Sequence, residues 1–549
     1  MNKKSNISKI SLLIVGLLLL NFISNKVYTR FDLTQDKRYT LSEPTIDILS
    51  EIENTIVVKV YLQGDFPTEF KRLQIETRQL LEELKSENKN LKFRFINPLD
   101  VDTQKLISEG LEPSQLSVQE NGKVSEIVVF PWATVQKGKK IEKVSLLKDT
   151  NTQSQDEQLQ NSIQNLEYGF VNAIHKLTSE KNKKIAILRG NGELEDVYLA
   201  DFLRKLGEYY RLAPFTLDSV AKSPEKTLEK LTEFDLTIIA KPTERFSEKE
   251  KFTLDQYIMN GGKTLWMVDQ IHAELDSLFE TGESLAYPRD LNLTDLLFSY
   301  GIRINSNLVQ DLYSSKIPLA TGNVGNQTQY NQFLWNYFPA VQSANNHPIN
   351  KHIEPVNLKF ANSIDILKNE IDKTVLLQSS PFSKISGTPS IISLKSISQQ
   401  VKKEEFNKKN IPLGVLLEGD FKSAYENRIK PFKVINNKNK SLGNKMIVIA
   451  DGDIIANQVT RGTPEKLGVD KWTGQQFGNK EFLLNAVNYL LDDSGLLDIR
   501  SKTINLKMLD REKAYSERIF YQILNTLLPI FLLAVFGFVF NYVQKRKYT

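Results

Sequence analysis

The chain runs to 549 residues, 40% of them apolar and 25% charged, with a formal net charge of +5 and no cysteine. That length exceeds what one hydrophobic core serves and predicts two or three globular domains rather than a disordered chain. Without cysteine, thiol catalysis, disulfides and cysteine-based zinc or iron–sulfur sites are excluded, and a small charge dispersed over nearly balanced acids and bases gives no nucleic-acid footprint.

The first apolar run, Ile10–Ile23, follows a tail carrying Lys3, Lys4 and Lys9 and no acid, the profile of a signal peptide or a signal anchor. No small-x-small cleavage site follows Ile23, so residues 1–28 are read as a cytoplasmic tail and an uncleaved transmembrane anchor.

Residues 29–148 alternate between strand and helix periods: strand Ile56–Leu62, helix Glu69–Ser86, strand Leu91–Ile96, helix Val101–Glu109, two segments around Asn121-Gly122 and one more at Lys140–Leu146. This order looks like a thioredoxin-type α/β layer. Where a redox thioredoxin carries its cysteine pair, the chain has Gln63-Gly64-Asp65-Phe66-Pro67, which rules out redox work. Residues 149–180 form a linker: a polar stretch, then a helix with Leu159, Ile163, Leu166, Phe170, Ala173 and Leu177 on one narrow stripe. Such a stripe docks on a neighbouring domain or along a partner helix.

Residues 181–500 read as an α/β domain. Strands are expected at Lys184–Leu188, Pro214–Leu217, Asp235–Ala240 and Thr264–Val268, with helices at Glu193–Arg211 and Pro224–Leu231 between them. Ser247-x-x-Glu250 is a capping box for a further helix that stops at Gly261-Gly262. Strands alternating with helices imply a doubly wound parallel sheet with helices on both faces, which resumes at the strand Met446–Ala450 and the helix Glu481–Leu491. Between them, about 305–445 is an Asn-, Ser- and Lys-rich insertion with strands of its own.

After a membrane-proximal connector, 501–518, the uncharged run Ile519–Phe540 is long enough to cross a hydrocarbon core of about 30 Å. A buried core helix is the alternative; the run's closure by Lys545-Arg546-Lys547 favours a second transmembrane helix, 519–541, and a cytoplasmic basic tail, 542–549. Basic short tails stay on the cytoplasmic side, which predicts a two-pass inner-membrane protein with both termini inside and its bulk periplasmic. Gln522, Asn525, Thr526 and Pro529 in this span either pack on partner helices or are simply tolerated in lipid.

Few residues carry recognisable chemistry. Gly261-Gly262-Lys263-Thr264 lies between a helix and a strand, the reverse of a phosphate loop. Arg189-Gly190-Asn191-Gly192-Glu193 opens a helix, where backbone amides meet an anion or simply close a tight turn. Asp451-Gly452-Asp453 stands at the carboxyl end of a strand, where two carboxylates bind a divalent cation or cap the next turn. The histidines, His175, His272, His347 and His352, have no ligand spacing, and no Gly-x-Ser-x-Gly elbow occurs. No catalytic, cofactor or metal residue is assigned; Asn191, Asp269, Asp451 and Asp453 are kept as a candidate ligand or partner loop.

Several stretches carry a family likeness. They are Arg30-Phe31-Asp32-Leu33-Thr34 with Arg38-Tyr39-Thr40-Leu41-Ser42, the run Leu376–Lys384, Val415-Leu416-Leu417-Glu418-Gly419 with Asn427-Arg428, and the tract from Asp451 through Gly478-Asn479-Lys480-Glu481-Phe482 to Asn488-Tyr489-Leu490-Leu491. Through them the chain resembles, nearly end to end, the gliding-motility-associated ABC-transporter auxiliary components known as GldG in Bacteroidota-type bacteria. The resemblance implies a subunit working with a multi-span ABC permease and a cytoplasmic ATPase, with no catalytic residues to carry over, and a central part similar to flavodoxin- or amidotransferase-like sheets but without the amidotransferase cysteine; with the chemistry above, this reads as a non-enzymatic scaffold. Two other classes stay open: a tethered solute-binding protein with its ligand near Asn191, Asp269 and Asp451, and an extracytoplasmic hydrolase using Asp451 and Asp453.

Overall fold

A computed structural model of the chain describes residues 37–502, apart from 65, 67, 121–122, 149–154, 326, 352, 400 and 493, together with 511–548 and residues 13–16, 32 and 34. These belong to two compact units, 1–503 and 504–549. The first expected anchor lies outside the described residues except for 13–16, which are helical.

The amino-terminal part opens with α1 (Glu43–Ser50), whose first turn holds Pro44 where no backbone donor is needed. There follow β1 (Ile56–Val60), α2 (Thr68–Glu87), β2 (Leu91–Phe95), β3 (Trp132–Lys137) and β4 (Lys140–Ser145). The sheet order is β2-β1-β3-β4, with β1 and β2 parallel and the other neighbours antiparallel. Strand β1 alternates buried and half-buried residues, so Ile56, Val58 and Val60 form its core face. The segments flanking Asn121-Gly122, which itself lies outside the described residues, pair as a separate hairpin, Ser114–Glu120 with Lys123–Val129. Across this layer runs α3 (Gln155–Thr178). Its whole expected stripe, from Leu159 to Leu177, is buried, and it lies against α2, β4 and the turn Leu496–Ser501.

The larger sheet is made by β5 (Lys184–Arg189), β6 (Arg211–Thr216), β7 (Leu236–Ala240), β8 (Lys263–Met267), β9 (Asp372–Gln378), β10 (Pro412–Gly419) and β11 (Asn444–Ile449). Its order is β9-β10-β11-β8-β7-β5-β6. Five strands, β6-β5-β7-β8-β11, are mutually parallel. Every residue of β7 is buried, as expected of a strand covered on both faces. One core packs the helices Asp196–Leu206 and Asn479–Leu491 on one face; the other packs Pro224–Leu231 and Glu248–Met259 on the opposite face. Ser247 and Glu250 cap the last of these reciprocally, Ser247 N donating to Glu250 Oε2 at 2.6 Å.

Two expectations need correction. The helix expected over Glu193–Arg211 is shorter, Asp196–Leu206, because the backbone before it is committed to the turn around Asn191 and Gly207 ends it. The sheet is mixed rather than wholly parallel. Strands β9 and β10, from within the stretch about 305–445, join its edge, each antiparallel to its neighbour, since the connections 379–411 and 420–443 hold no α-helix among their described residues to make a parallel crossover. The rest of that stretch holds a long hairpin, Ser314–Val324 with Gln327–Val341.

In the second unit, Arg518–Tyr548 is one helix with Pro529 inside it. Among the described residues its span Arg518–Arg546 is the one helix long and apolar enough to cross a membrane.

Candidate functional site

The carboxyl ends of β7, β8 and β11 converge. Lys241 follows β7 with φ +54°, Asp269 follows β8, and Asp451-Gly452-Asp453 follows β11. A side chain on Gly452 would bring its Cβ to 2.5 Å from Lys241 Cγ and 2.9 Å from Asp269 Oδ2, so glycine is what lets this turn close onto its neighbours. Gly452 N donates to Asp269 Oδ1 at 2.7 Å. Lys241 Nζ lies 2.8 Å from Asp453 Oδ2, 3.0 Å from Glu274 Oε2 and 3.8 Å from Asp269 Oδ2. Arg289 adds a second cation at 3.3 Å from Glu274. Asp451 is fully buried, accepting from Asp453 N at 2.7 Å and Lys359 N at 2.6 Å.

Position sets protonation here. Burial would depress Lys241, but Asp453, Asp269 and Glu274 outweigh it and hold the ammonium charged well beyond its usual range. Burial pushes Asp269 up to about 6 against the pull of Lys241. Asp451, buried with Asp269 and Asp453 close by, is held well above the carboxylate range. Burial also opposes ionisation of Asp453, yet Lys241 and Lys359 win and keep it low. The cluster is therefore a charge-compensated knot around one ammonium.

Of the four candidate residues, the fold brings three together. Asn191 stands apart: its carbonyl accepts from Thr243 N and Glu244 N at 2.9 Å, which ties the β5 turn to the loop after β7. Its buried Oδ1 has no partner among the described residues. Asp453 already receives Lys241, and among the described residues no group of three or more histidines or carboxylates is arranged to hold a metal. Lys241, Glu274 and Arg289 were not singled out in the sequence, where each is an isolated charge. The one available signal was a lysine placed directly after the apolar strand Leu236–Ala240.

A second constellation lies where the described chain begins and ends. Asp32 organises the first turn, accepting from Thr34 N and Tyr39 N at 2.9 Å each. Glu167 on α3 then accepts from Ser42 N at 2.9 Å and Thr45 Oγ1 at 2.8 Å, and from Lys502 Nζ at 2.9 Å. Lys502 also donates to Thr40 O at 2.7 Å. Two residues earlier, Arg500 donates to Glu481 Oε1 at 2.6 Å and Asn485 Oδ1 at 2.7 Å while lying over the Tyr168 ring. Burial disfavours the Glu481 charge, but Lys148 and Arg500 hold it below its usual range.

Much of the family-like sequence is thereby accounted for structurally. Ser380 of the Leu376–Lys384 run donates through its backbone and hydroxyl to Asp311 at 2.7 and 2.6 Å. Glu418 takes Tyr489 OH at 3.0 Å, and Arg428 pairs with Asp295 at 2.7 Å.

A family model described as an ABC-type uncharacterized transport system, of the auxiliary kind, matches residues 182–486. A second, a domain of unknown function, matches 35–136. The helix α3 and its residue Glu167 fall between the two. An uncharacterized protein of Borreliella burgdorferi is 21% identical over 564 residues, covering 100% of this chain and 99% of that one. Among solved structures, the mmIFT52 N-terminal domain is 17% identical with a TM-score of 0.32, covering 56% of this chain and 98% of that chain, a likeness too slight to build on.

Proposed function

The chain belongs to the family of ABC-type uncharacterized transport systems, as an auxiliary component, and from that premise we propose that it is a non-catalytic coupling subunit of an ABC complex. It stands beside a separate multi-span permease served by a cytoplasmic ATPase. Two transmembrane helices, 1–28 and 519–541, anchor it in the inner membrane with both termini in the cytoplasm. Two periplasmic regions, 29–148 and 181–500, face outward. In this reading the first is thioredoxin-like, supported by the order β2-β1-β3-β4, and the second flavodoxin-like, supported by the parallel run β6-β5-β7-β8-β11. The link to gliding motility rests on the sequence resemblance.

The observation that carries the coupling role is the clasp at Glu167. Ser42 and Thr45, which follow the first anchor, and Lys502, which precedes the second, are bonded to one carboxylate on α3. A displacement delivered through either anchor reaches the same buried helix, so the outer region responds as one body. The carboxylates at the sheet edge support a non-catalytic reading as well, since Asp453 and Asp451 are engaged by Lys241 and backbone amides.

Purification of the full chain in mild detergent tests the reading. Recovery of a permease and an ATPase with it is the expected result; a chain that brings down neither, or a mid-chain reporter accessible only from the cytosol, overturns it.

A further inference from the structure

Beside Asp453 a cleft opens, lined by the hairpin strand Ser314–Val324 and the segment 456–479. Aromatic rings of Phe279, Phe338, Trp472 and Phe477 line it. So do two lysines: Lys316, with no ion pair among the described residues, and Lys359, whose charge helps to hold Asp453 ionised. The two acids at its wall are already engaged: Asp453 by Lys241 at 2.8 Å and Asp470 by Thr473 Oγ1 at 2.6 Å. Two lining residues also carry orphaned buried atoms. Ser315 is only 6% exposed and its Oγ has no partner among the described residues, and neither has Asn357 Oδ1. Buried polar atoms are nearly always satisfied, so a hydroxyl donor and an amide acceptor left open beside the Lys316 and Lys359 ammonium groups describe a place for a ligand rather than a packed interior.

We propose that this cleft binds a small organic carboxylate with an apolar or aromatic body and a hydrogen-bond donor. The carboxylate is held by Lys359 and Lys316 with the Ser315 hydroxyl donating to it. The body lies among Phe338, Trp472 and Phe477, and the donor group meets Asn357 Oδ1. This goes beyond the auxiliary role and does not depend on a membrane partner, because every group named belongs to this chain. It also differs from the ligand position expected near Asn191, which the fold keeps with the loop after β7.

Calorimetric titration of the purified full chain with 4-hydroxyphenylacetate, alongside its neutral amide, tests the assignment. Expected are saturable one-site binding of the carboxylate and at least tenfold weaker binding of the amide. Lys359→Met and Trp472→Ala should each lose at least tenfold in affinity with wild-type melting. Ser315→Ala should bind at least threefold more weakly without melting earlier, since its hydroxyl satisfies nothing in the unliganded fold. Absence of saturable heat, equal binding of the amide, or undiminished affinity in Lys359→Met overturns the proposal. Should Lys359→Met fail to fold, Lys316→Met and Trp472→Ala decide it by the same criterion. A Ser315→Ala variant that melts earlier and binds normally assigns the hydroxyl to structure and overturns its role in the ligand site.

Discussion

Lys502 Nζ lies 2.9 Å from Glu167 Oε2, and through that carboxyl group Lys502 is tied to Ser42, 460 residues earlier in the chain. Both side chains are largely buried, at 18% and 6% exposure, so water does little to replace the contact. Removing one partner of a buried pair leaves an uncompensated charge. Glu167→Ala also leaves Ser42 N without its acceptor, so it should lower stability by about 3 kcal/mol, and Lys502→Met by somewhat less. Thermal unfolding of the detergent-solubilised chain measures both. The double variant should cost about as much as Glu167→Ala alone; full additivity would mean the two residues do not act as a pair.

The knot around Lys241 makes a pH prediction. Asp269 has a native pKa of about 6 against an ordinary value of 3.8. Between those values the folded state binds more protons than the unfolded one, so this group's contribution to stability is present at low pH and lost as pH rises through about 6. Replacing Asp269 with Asn removes that titration. From pH 4 to pH 7 the stability of wild type relative to Asp269→Asn should fall by about 2 kcal/mol, most of the roughly 3 kcal/mol to which the raised pKa is equivalent. A difference that stays flat over this range would place the Asp269 proton elsewhere in the knot.

What the sequence disclosed follows the distance over which each cause acts. The capping box at Ser247 and Glu250, the buried run of β7 and the stripe of α3 are written within one turn or one strand, and each was legible. Asp269, Asp451 and Asp453 were also picked out, because parallel strands present their carboxyl ends together. Lys241 and Glu274 were not, and neither was the pairing of Lys502 with Glu167, since nothing local marks a lysine whose partner is supplied by topology. Strands β9 and β10 were hidden in the same way. Their place at the sheet edge depends on pairing with β11, which their own periodicity does not specify.

Gly452 should tolerate no side chain while Lys241 is present. Its φ of −79° is ordinary, so only space is at issue. An added Cβ meets Lys241 Cγ at 2.5 Å and Lys241 Cβ at 2.7 Å. Overpacking at such a site costs about 1–3 kcal/mol. Gly452→Ala should therefore destabilise by about 2 kcal/mol in chemical unfolding. Lys241→Ala, which strands the carboxylates without their cation, should lose about 3–5 kcal/mol. Combining the two removes the Cγ clash along with the ammonium, so the double variant should be more stable than the sum of the single losses implies. Strict additivity would show that Gly452 is required for some other contact.

The last prediction concerns the apolar helix Arg518–Tyr548. Gln522 and Asn525 lie three residues apart on one face of Arg518–Tyr548, and among the described residues neither side-chain amide has a hydrogen-bond partner. Thr526 is self-satisfied, its hydroxyl donating to Gln522 O at 2.7 Å. In hydrocarbon an unpaired amide is unfavourable, and across a helix interface such a side chain contributes about 1 kcal/mol. If this face meets a permease helix, Gln522→Leu with Asn525→Leu should weaken recovery of the permease by about tenfold, two such contributions allowing for some loss. Leu527→Ala, off that stripe, should leave recovery unchanged. Quantitative co-purification distinguishes the cases: equal recovery from the double variant would assign these amides to lipid-facing tolerance, and the contact with the permease would then have to be made by the outer region or the first anchor.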